Sequence, residues 1–504
     1  MLRRGMGLYT KITRSWLESR FRRRSPEGIY FAHMPVYGIG TEHAEGNHLG
    51  RLARLFRILR ELDGLRFESF LDVGGAEGYL AHLVRQLFGA AAFSADLSHE
   101  ASLRARELFG LPSAAVDCAR LPFADGAFDV VVCSEVIEHV EHPVETVLEL
   151  QRVARRAVIL TTEEVHFDRQ EIADYLFRRP GWPHMERNLF HPDDLEVLFP
   201  GAPRRPQLAA RPGRRDLPAQ QAAAWLLEHT AGQELRAGDV GVVVVAARSG
   251  AAGPRRYDDA RLAELLLATT VAPGARSPSA PDLAASLPQL REPGTGAPLR
   301  LEGDALVGAA GNYPVRDGVP DFVDDRVPPP SRDSLAERLR DEPPARRDAL
   351  LDLRDRLFLA ERCERDDFDF REHEQRRGFW LNDQLQPREV AAGAGFAWRA
   401  TGPDPWLVTP CLQRPVREVE LELRVHAPDV PVDAGTGQIF WKGPADVDFT
   451  EARSVQFRVP NDGQFHTHTV TLEGHAMLPA EVQWLRLDVI DGACEVDLRA
   501  LRLR

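Results

Sequence analysis

Lysine is nearly missing from this chain. Only Lys11 and Lys442 occur among 504 residues, so almost all of the 63 basic side chains are arginine, a bias of codon usage rather than of function. Long apolar runs are missing as well. No window reaches the 18 or more consecutive apolar residues of a membrane-spanning helix, and no secretory-type hydrophobic stretch follows the basic start. The five cysteines (Cys118, Cys133, Cys363, Cys411, Cys494) show no paired spacing, which argues against a disulfide framework and favours a reducing, cytoplasmic setting.

What is present is the composition of a soluble globular protein, 43% hydrophobic and 28% charged, with length for about three domains. The charge is uneven. Residues 1–24 carry eight Arg or Lys and one acid, Glu18, a net +7 that leaves −20 for the rest of a chain whose total is −13. So acidic a remainder argues against a general nucleic-acid binder. Within the basic segment Leu8, Ile12, Trp16 and Phe21 recur near helical spacing. Two readings follow: an amphipathic helix touching an anionic membrane, peripherally at the inner membrane surface, or a solvated tail or helix packed on the next domain.

After this basic segment (1–40), residues 41–250 alternate strand-like runs with helical patterns, the signature of a parallel sheet. The expected strands are Ser69–Val73, Ala91–Asp96, Phe128–Ser134, Ala157–Thr161 and Val240–Ala247. The last, "VGVVVVAA", reads as buried on both faces. The Pro- and Arg-rich stretch from Pro200 to Gln220 reads as loop, and 251–287, with "PGARSPSAP", as linker. A small unit spans 288–325 and a helical, charged connector 326–384. From 385 to 504 the pattern turns to strands: "VELELRVHA" alternates Val419, Leu421, Leu423 and Val425 with polar residues, and "PNDGQ" supplies a turn. This predicts an all-β sandwich.

The stretch "FLDVGGAEGYL" has the outline of strand, glycine turn and helix start. A dinucleotide fingerprint would want glycine at 76 and 79, where Ala76 and Tyr79 stand. An acid, Asp72, instead precedes the first glycine by two residues. Such an acid suits phosphate badly and suits a ligand with an ammonium and a sulfonium well, as in S-adenosylmethionine (SAM). Asp96 then closes "FSADLS", where a carboxylate can accept from ribose hydroxyls. "D-x-x-x-LPF-x-D-x-x-FD" runs from Asp117 to Asp129, and "EVIEHV" from Glu135 to Val140.

In this order and spacing the four motifs resemble the class I SAM-dependent methyltransferases, in the branch that includes ubiquinone and menaquinone biosynthesis methyltransferases. The resemblance implies an α/β fold, a Rossmann-like sheet with helices on both faces, and SAM as cofactor. It implies further that Asp72 reaches the methionine ammonium through water, that Gly74, Gly75 and Gly78 let the backbone approach the ligand, and that Asp96 holds the ribose. Asp117 would take the adenine amino group, Leu97 and Cys118 would flank the ring, and Glu135 would border the cofactor. Ala76 departs from the usual glycine, a tolerable change if its φ is negative. The bland reading of Asp96 and Asp117 is turn or cap acids.

Methyl transfer is an in-line displacement that needs alignment, and a base only for a weakly acidic acceptor. His139 is the candidate base; its alternative is a helix-start histidine paired with Glu135. Glu138, His139, Glu141 and His142 lack a fourth ligand at metal spacing and read as a solvated helix face, with no metal. Glu163, His166, His184 and Arg187 follow the fifth strand, where similar enzymes shape the acceptor pocket. His191 would line the same pocket or, since Pro192-Asp193-Asp194 reads as a helix start, form part of that helix's cap.

"LREPGTGAPLRLEGDALVGAAGNYPVRDGVPDF" resembles the zinc ribbon found with tRNA- and protein-methyltransferase complexes, but Glu292, Thr295, Gly308 and Ala310 stand where cysteines are expected. Without thiolates the ribbon is degenerate and metal-free. The C-terminal part resembles the galactose-binding-type β-sandwiches of bacterial glycan enzymes. Its Trp406, Phe440, Trp441 and Trp484 would either stack on sugars or fill the core, and the two histidines His466 and His468 alone make no metal site. The expected protein is a bacterial methyltransferase for a small-molecule, glycan or lipid-linked sugar acceptor in cell-surface polysaccharide biosynthesis. RNA or protein methylation, and a glycan-binding scaffold with a vestigial methyltransferase fold, are the alternatives.

Overall fold

Runs of Val, Ile and Phe flanked by turn residues set the central sheet, and four of the five expected strands match to the residue. The computed structural model describes residues 8–45, 48–163, 165–169, 171–172, 175, 186–208, 217–230, 235, 240–278, 281–324, 329–357, 363, 365–382, 384–388, 395–427, 435–444, 446, 448–489 and 493–504. They fall into two units, Met1–Val165 with Pro192–Pro330 and His166–His191 with Ser331–Arg504. Among them no helix is long and apolar enough to cross a membrane.

The first unit holds β1 (Ser69–Val73), β2 (Ala91–Asp96), β3 (Ser113–Ala115), β4 (Phe128–Ser134), β5 (Ala154–Thr162), β6 (Arg204–Leu208) and β7 (Val240–Ala247) in the order β3-β2-β1-β4-β5-β7-β6. The first five are parallel; β7 runs antiparallel to β5, and β6 to β7. The sheet is therefore mixed, and β6 occupies part of the stretch read as loop. Its Pro206 is tolerated because β6 lies on the edge. Strand order reverses between β1 and β4, which opens a crevice at their C-terminal ends.

The helices are α1 (Leu8–Phe21), α2 (His48–Asp63), α3 (Tyr79–Phe88), α4 (His99–Phe109), α5 (Pro143–Val153), α6 (Pro192–Leu198), α7 (Ala219–His229) and α8 (Asp259–Ala268). Residues of α2, α3, α7 and α8, such as Phe56, Leu59, Leu83, Leu226 and Leu262, share one core with Phe70, Val132, Ile159 and Val243 of the sheet. On the other face α5 lies by β4 and β5, and Phe93, Phe123 and Phe128 meet edge to face. The stretch read as a linker contains α8, a core helix. Asp258 caps it by accepting from Arg261 N (2.7 Å), and it buries Leu262, Ala263 and Leu266.

α1 packs on this unit, the second of the two readings of the basic segment. Phe21 is buried with Ala76 and Ala101, Leu17 lies against them, and Ile12 stays exposed. The Glu18 carboxylate accepts from His99 N (2.8 Å) and Glu100 N (3.1 Å) at the start of α4, where a negative charge also suits the helix dipole.

The ribbon is a four-stranded antiparallel sheet: β8 (Arg300–Glu302), β9 (Ala305–Val307), β10 (Asn312–Arg316) and β11 (Val319–Pro320). The four positions expected for metal ligands gather round the buried carboxylate of Glu292. It accepts from Thr295 Oγ1 (2.7 Å), Ala310 N (2.7 Å) and Gly311 N (2.9 Å), and a side chain at 308 would collide with it. One carboxylate thus ties the turn at 292–295 to the turn at 308–311. Beyond β11, Asp321 bridges in parallel to Ala115, and Phe322 N donates to Ala115 O (2.8 Å), covering the free edge of β3.

The second unit is a sandwich. One sheet orders β14 (Leu385–Pro387), β15 (Phe396–Ala400), β22 (Cys494–Leu503), β17 (Glu418–His426) and β20 (Phe465–Thr471), with β12 (Asp367–Asp369) also on β22. The other orders β13 (Trp380–Leu381), β16 (Trp406–Val408), β21 (Trp484–Asp488), β18 (Thr436–Lys442) and β19 (Ser454–Arg458). The alternation read in β17 holds. Val419, Leu421, Leu423 and Val425 point into the core, while Glu420 and Glu422 pair outward with Arg502 and Arg499. β12 and β13 carry the sandwich into the stretch read as connector.

Trp406, Phe440, Trp441 and Trp484 are all buried, but only Trp441 lies in the sandwich core; Trp406 and Trp484 share a separate cluster with Val408 and Cys411, and Arg486 lies over Trp406 and Phe440. His466 pairs with Asp462 (2.9 Å), and His468 lies by Phe457. Ile172 and Leu189, which follow β5 in the chain, cluster with Tyr175 and Trp380.

Candidate functional site

Asp72 is the penultimate residue of β1, just before the glycine turn. Gly74 (φ 75°) and Gly78 (φ 79°) lie in the left-handed region that favours glycine. A Cβ at 74 would run into Val136, and one at 78 would lie 2.6 Å from the Ala105 Cβ, so protein atoms already demand these glycines. A Cβ at Gly75 would come within 2.7 Å of Ser94 Oγ and 2.8 Å of Asp72 Oδ2. Those two buried polar atoms lack a hydrogen-bond partner among the described residues. Burial, reinforced by the charge of Asp96, raises the Asp72 carboxyl to about 7. A carboxylate this enclosed, 2% exposed, is poised for a cationic group.

Ala76 contradicts the expectation attached to it. Its φ is +49°, so the methyl is held in a strained conformation, costing about 1–2 kcal/mol relative to the right-handed one. The turn persists because Ala76 N donates to Asp96 Oδ2 (3.0 Å) and the methyl packs among Phe21, Leu17 and Ala101. Glu77, fully buried in the same turn, accepts from Met34 N (2.5 Å) and anchors the segment after α1.

Asp96 ends β2 with each carboxylate oxygen taking one backbone N–H, from Ala76 and from Ser98 (2.9 Å). Burial raises it to about 6. Asp117 caps the short turn Cys118–Arg120 by accepting from Ala119 N (3.0 Å), and burial raises it too. Both acids therefore serve as caps, the bland reading, and both still have lone pairs for a ligand's hydroxyl or amine. Leu97 is half-buried. Cys118 lies 3.5 Å from Thr146 Oγ1, and burial, then Asp117, pushes its thiol up to about 12, so it offers a neutral, polarisable wall.

At the end of β4 the geometry departs further. Glu135 has φ +54°, and its carboxylate turns toward β5, accepting from Thr161 Oγ1 (2.9 Å) and Glu163 N (3.1 Å). Arg54 of α2 lies 3.6 Å from it and 3.0 Å from Glu163. Gln207 of β6 completes the set, donating to Glu135 (3.2 Å) and accepting from Arg54 Nε (3.1 Å). Burial would lower the Arg54 pKa, but Glu135, Glu163 and Glu138 outweigh it and raise it. Glu135 is thus a latch between strands. Arg54 was missed because its partners lie 81 and 109 residues away; its one signal is the three-residue spacing of Arg51, Arg54 and Arg57.

The polar-helix reading of 138–142 fails. The segment is a turn, α5 begins only at Pro143, and Glu138, Glu141 and His142 are buried. Glu141 accepts from Thr10 N (3.2 Å) and Thr10 Oγ1. His139 is half-buried in this turn, its N–H donating to Val136 O (2.9 Å). No cluster of three metal-ligating side chains occurs among the described residues.

The candidate acceptor residues divide between the units. Glu163 belongs to the first and is paired with Arg54. His166 and Arg187 belong to the second, where the His166 ring lies 5.7 Å from Tyr175 and Arg187 is buried. His184 lies outside the described residues. His191 Nε2 lies 3.2 Å from Phe167 O just ahead of α6, whose predicted start at Pro192 holds.

Residues 71–161 match the methyltransferase-domain family. No curated protein sequence matches the chain. Among solved structures, an S-adenosylmethionine-dependent methyltransferase from Thermotoga maritima is 16% identical, with 40% of this chain and 92% of that one covered at a TM-score of 0.31. Magnesium protoporphyrin IX methyltransferase from Synechocystis PCC 6803, solved with bound SAH, is 17% identical over 48% of this chain and all of that one, also at 0.31. A SAM-dependent methyltransferase from Aquifex aeolicus is 16% identical over 39% and 93%, at 0.25. At these TM-scores the likeness carries no argument.

Proposed function

We propose that the chain is a SAM-dependent methyltransferase acting on a small-molecule or glycan acceptor. The supporting observation is Asp72: a nearly fully buried carboxylate under a glycine turn, with one oxygen lacking a protein partner. The residues present fit the donor. Asp72 and Ser94 face its ammonium, Asp96 its ribose hydroxyls, Asp117 its adenine amine, and Leu97 and Cys118 flank the ring. When bound, SAM supplies a methyl carbon on a sulfonium, which an acceptor atom attacks as the carbon–sulfur bond breaks and sulfur keeps the electron pair.

The chain's own part is to orient and to exclude water. α1 lies over the donor turn through Phe21 and Leu17. The latch of Arg54, Glu135, Glu163 and Gln207 holds the ends of β4 and β5 together. His139, in the turn after β4, takes the acceptor's proton on a ring nitrogen. A sugar-linked acceptor in cell-surface polysaccharide synthesis draws support only from the sandwich resemblance.

The test is incubation with methyl-labelled SAM and fractionated cell extract. Label should enter a wild-type product, be lost with Asp72→Asn, and fall with His139→Ala while SAM affinity is kept. Label transferred equally by Asp72→Asn would sink the donor assignment.

A further inference from the structure

Beyond Asp117 lies a small cleft open to solvent. Asp117 and Arg120 stand on one wall, Thr10 of α1 reaches it, and the ribbon closes it with Tyr313, Phe322 and Asp324. Tyr313 and Phe322 are both buried, with ring centroids 5.1 Å apart. The lining thus combines the rings of Tyr313 and Phe322 with the charged side chains of Asp117, Arg120, Glu141 and Asp324. That combination suits a flat heteroaromatic ring with apolar faces and an amine on its edge.

The ribbon is fixed in this place by specific contacts. Phe322 N bonds to Ala115 O, two residues before Asp117. Asp321 pairs with Arg14 of α1 (2.6 Å) and with Arg316, and Arg14 also donates to Val323 O (3.3 Å). Pro293, another part of the wall, follows the Glu292 clasp directly.

We propose that the metal-free ribbon forms part of the donor site, bounding the purine edge of the bound adenosine with Tyr313 and Phe322 while Asp117 accepts from its exocyclic amine. This rests on the donor reading above. It gives the ribbon a task beyond packing: the wall that selects a purine is supplied by an appended unit, and Glu292, far from any reacting atom, is a positioning residue.

The full chain is irradiated with 8-azido-S-adenosylmethionine and the labelled peptides are mapped. In parallel, S-adenosylhomocysteine binding is measured by calorimetry on wild type, Phe322→Leu and Glu292→Gln, with circular dichroism as a check on folding. Label is expected on 313–324 as well as on 97–118, and the dissociation constant should rise about tenfold in both variants, a loss near 1.4 kcal/mol. Label confined to 97–118 on a wild type that binds S-adenosylhomocysteine would overturn the ribbon's part and leave the donor reading standing. A wild type that binds no S-adenosylhomocysteine would overturn both. The mapping uses wild type alone, so a misfolded variant does not protect the proposal.

Discussion

With Asp72 facing the donor's ammonium, as proposed, donor binding depends on pH. Its carboxyl titrates near 7 in the fold, against about 3.9 in an unfolded chain. The fold therefore retains a proton that the unfolded chain releases. The resulting stability is fully present below about pH 4 and is lost as pH rises through 7. A cationic ligand prefers the ionised form, so SAM affinity moves the opposite way. Calorimetry between pH 6 and 8 should show binding strengthen by about fivefold to tenfold, with Asp96, the charge beside Asp72, titrating in the same direction. Asp72→Asn should flatten the profile, and a flat wild-type profile would remove Asp72 from the site.

Ala76→Gly removes a methyl held at positive φ. Thermal unfolding should show its unit stabilised by up to about 1 kcal/mol, an upward shift of a few degrees; a lower midpoint would mean that the contact with Phe21 outweighs the strain. The positions of the acids 72, 96 and 117 near the ends of β1, β2 and β3 were legible because the strand runs and the turns after them are plain in the sequence. The φ of Ala76 was not, since residue identity does not state backbone conformation. Nor was the Arg54–Glu135 latch, which exists only once α2, β4 and β5 are assembled.

At the scale of elements, the Glu292 clasp joins two turns of the small sheet through three hydrogen bonds to one carboxylate. Chelation by EDTA should leave the calorimetric trace unchanged. Glu292→Ala should destabilise the ribbon by about 2–4 kcal/mol, because two backbone N–H groups and a hydroxyl lose their acceptor. An EDTA-sensitive transition would contradict the clasp. The absence of cysteines from 288–325 was visible in the sequence, but the convergence of Thr295, Ala310 and Gly311 on one carboxylate was not, because two of those contacts are backbone ones. α8 is the opposite case. Asp258 followed by Leu262, Ala263 and Leu266 is a cap and an apolar face in plain order, masked by the Pro- and Ser-rich residues after it. β6 was hidden by its own Pro206, which an edge strand accommodates.

For the whole molecule, the chain crosses between units at 165, 191 and 330. The linear order of domains expected from composition does not hold, since the stretch after β5 folds with the sandwich. A chain ending at residue 330 would keep Ile172 and Leu189 and lose Trp380, their partner. It should give less soluble protein than the full chain and bind a hydrophobic dye that the full chain does not; equal solubility and no dye binding would show that 166–191 does not need the sandwich.

During synthesis the same arrangement imposes a wait. After residue 191 leaves the ribosome, about 190 more residues must emerge before Trp380 does, roughly 10–40 s at ordinary elongation rates. For that interval Ile172 and Leu189 are a greasy patch without a cover, and a nascent chain in that state is natural cargo for a holdase chaperone.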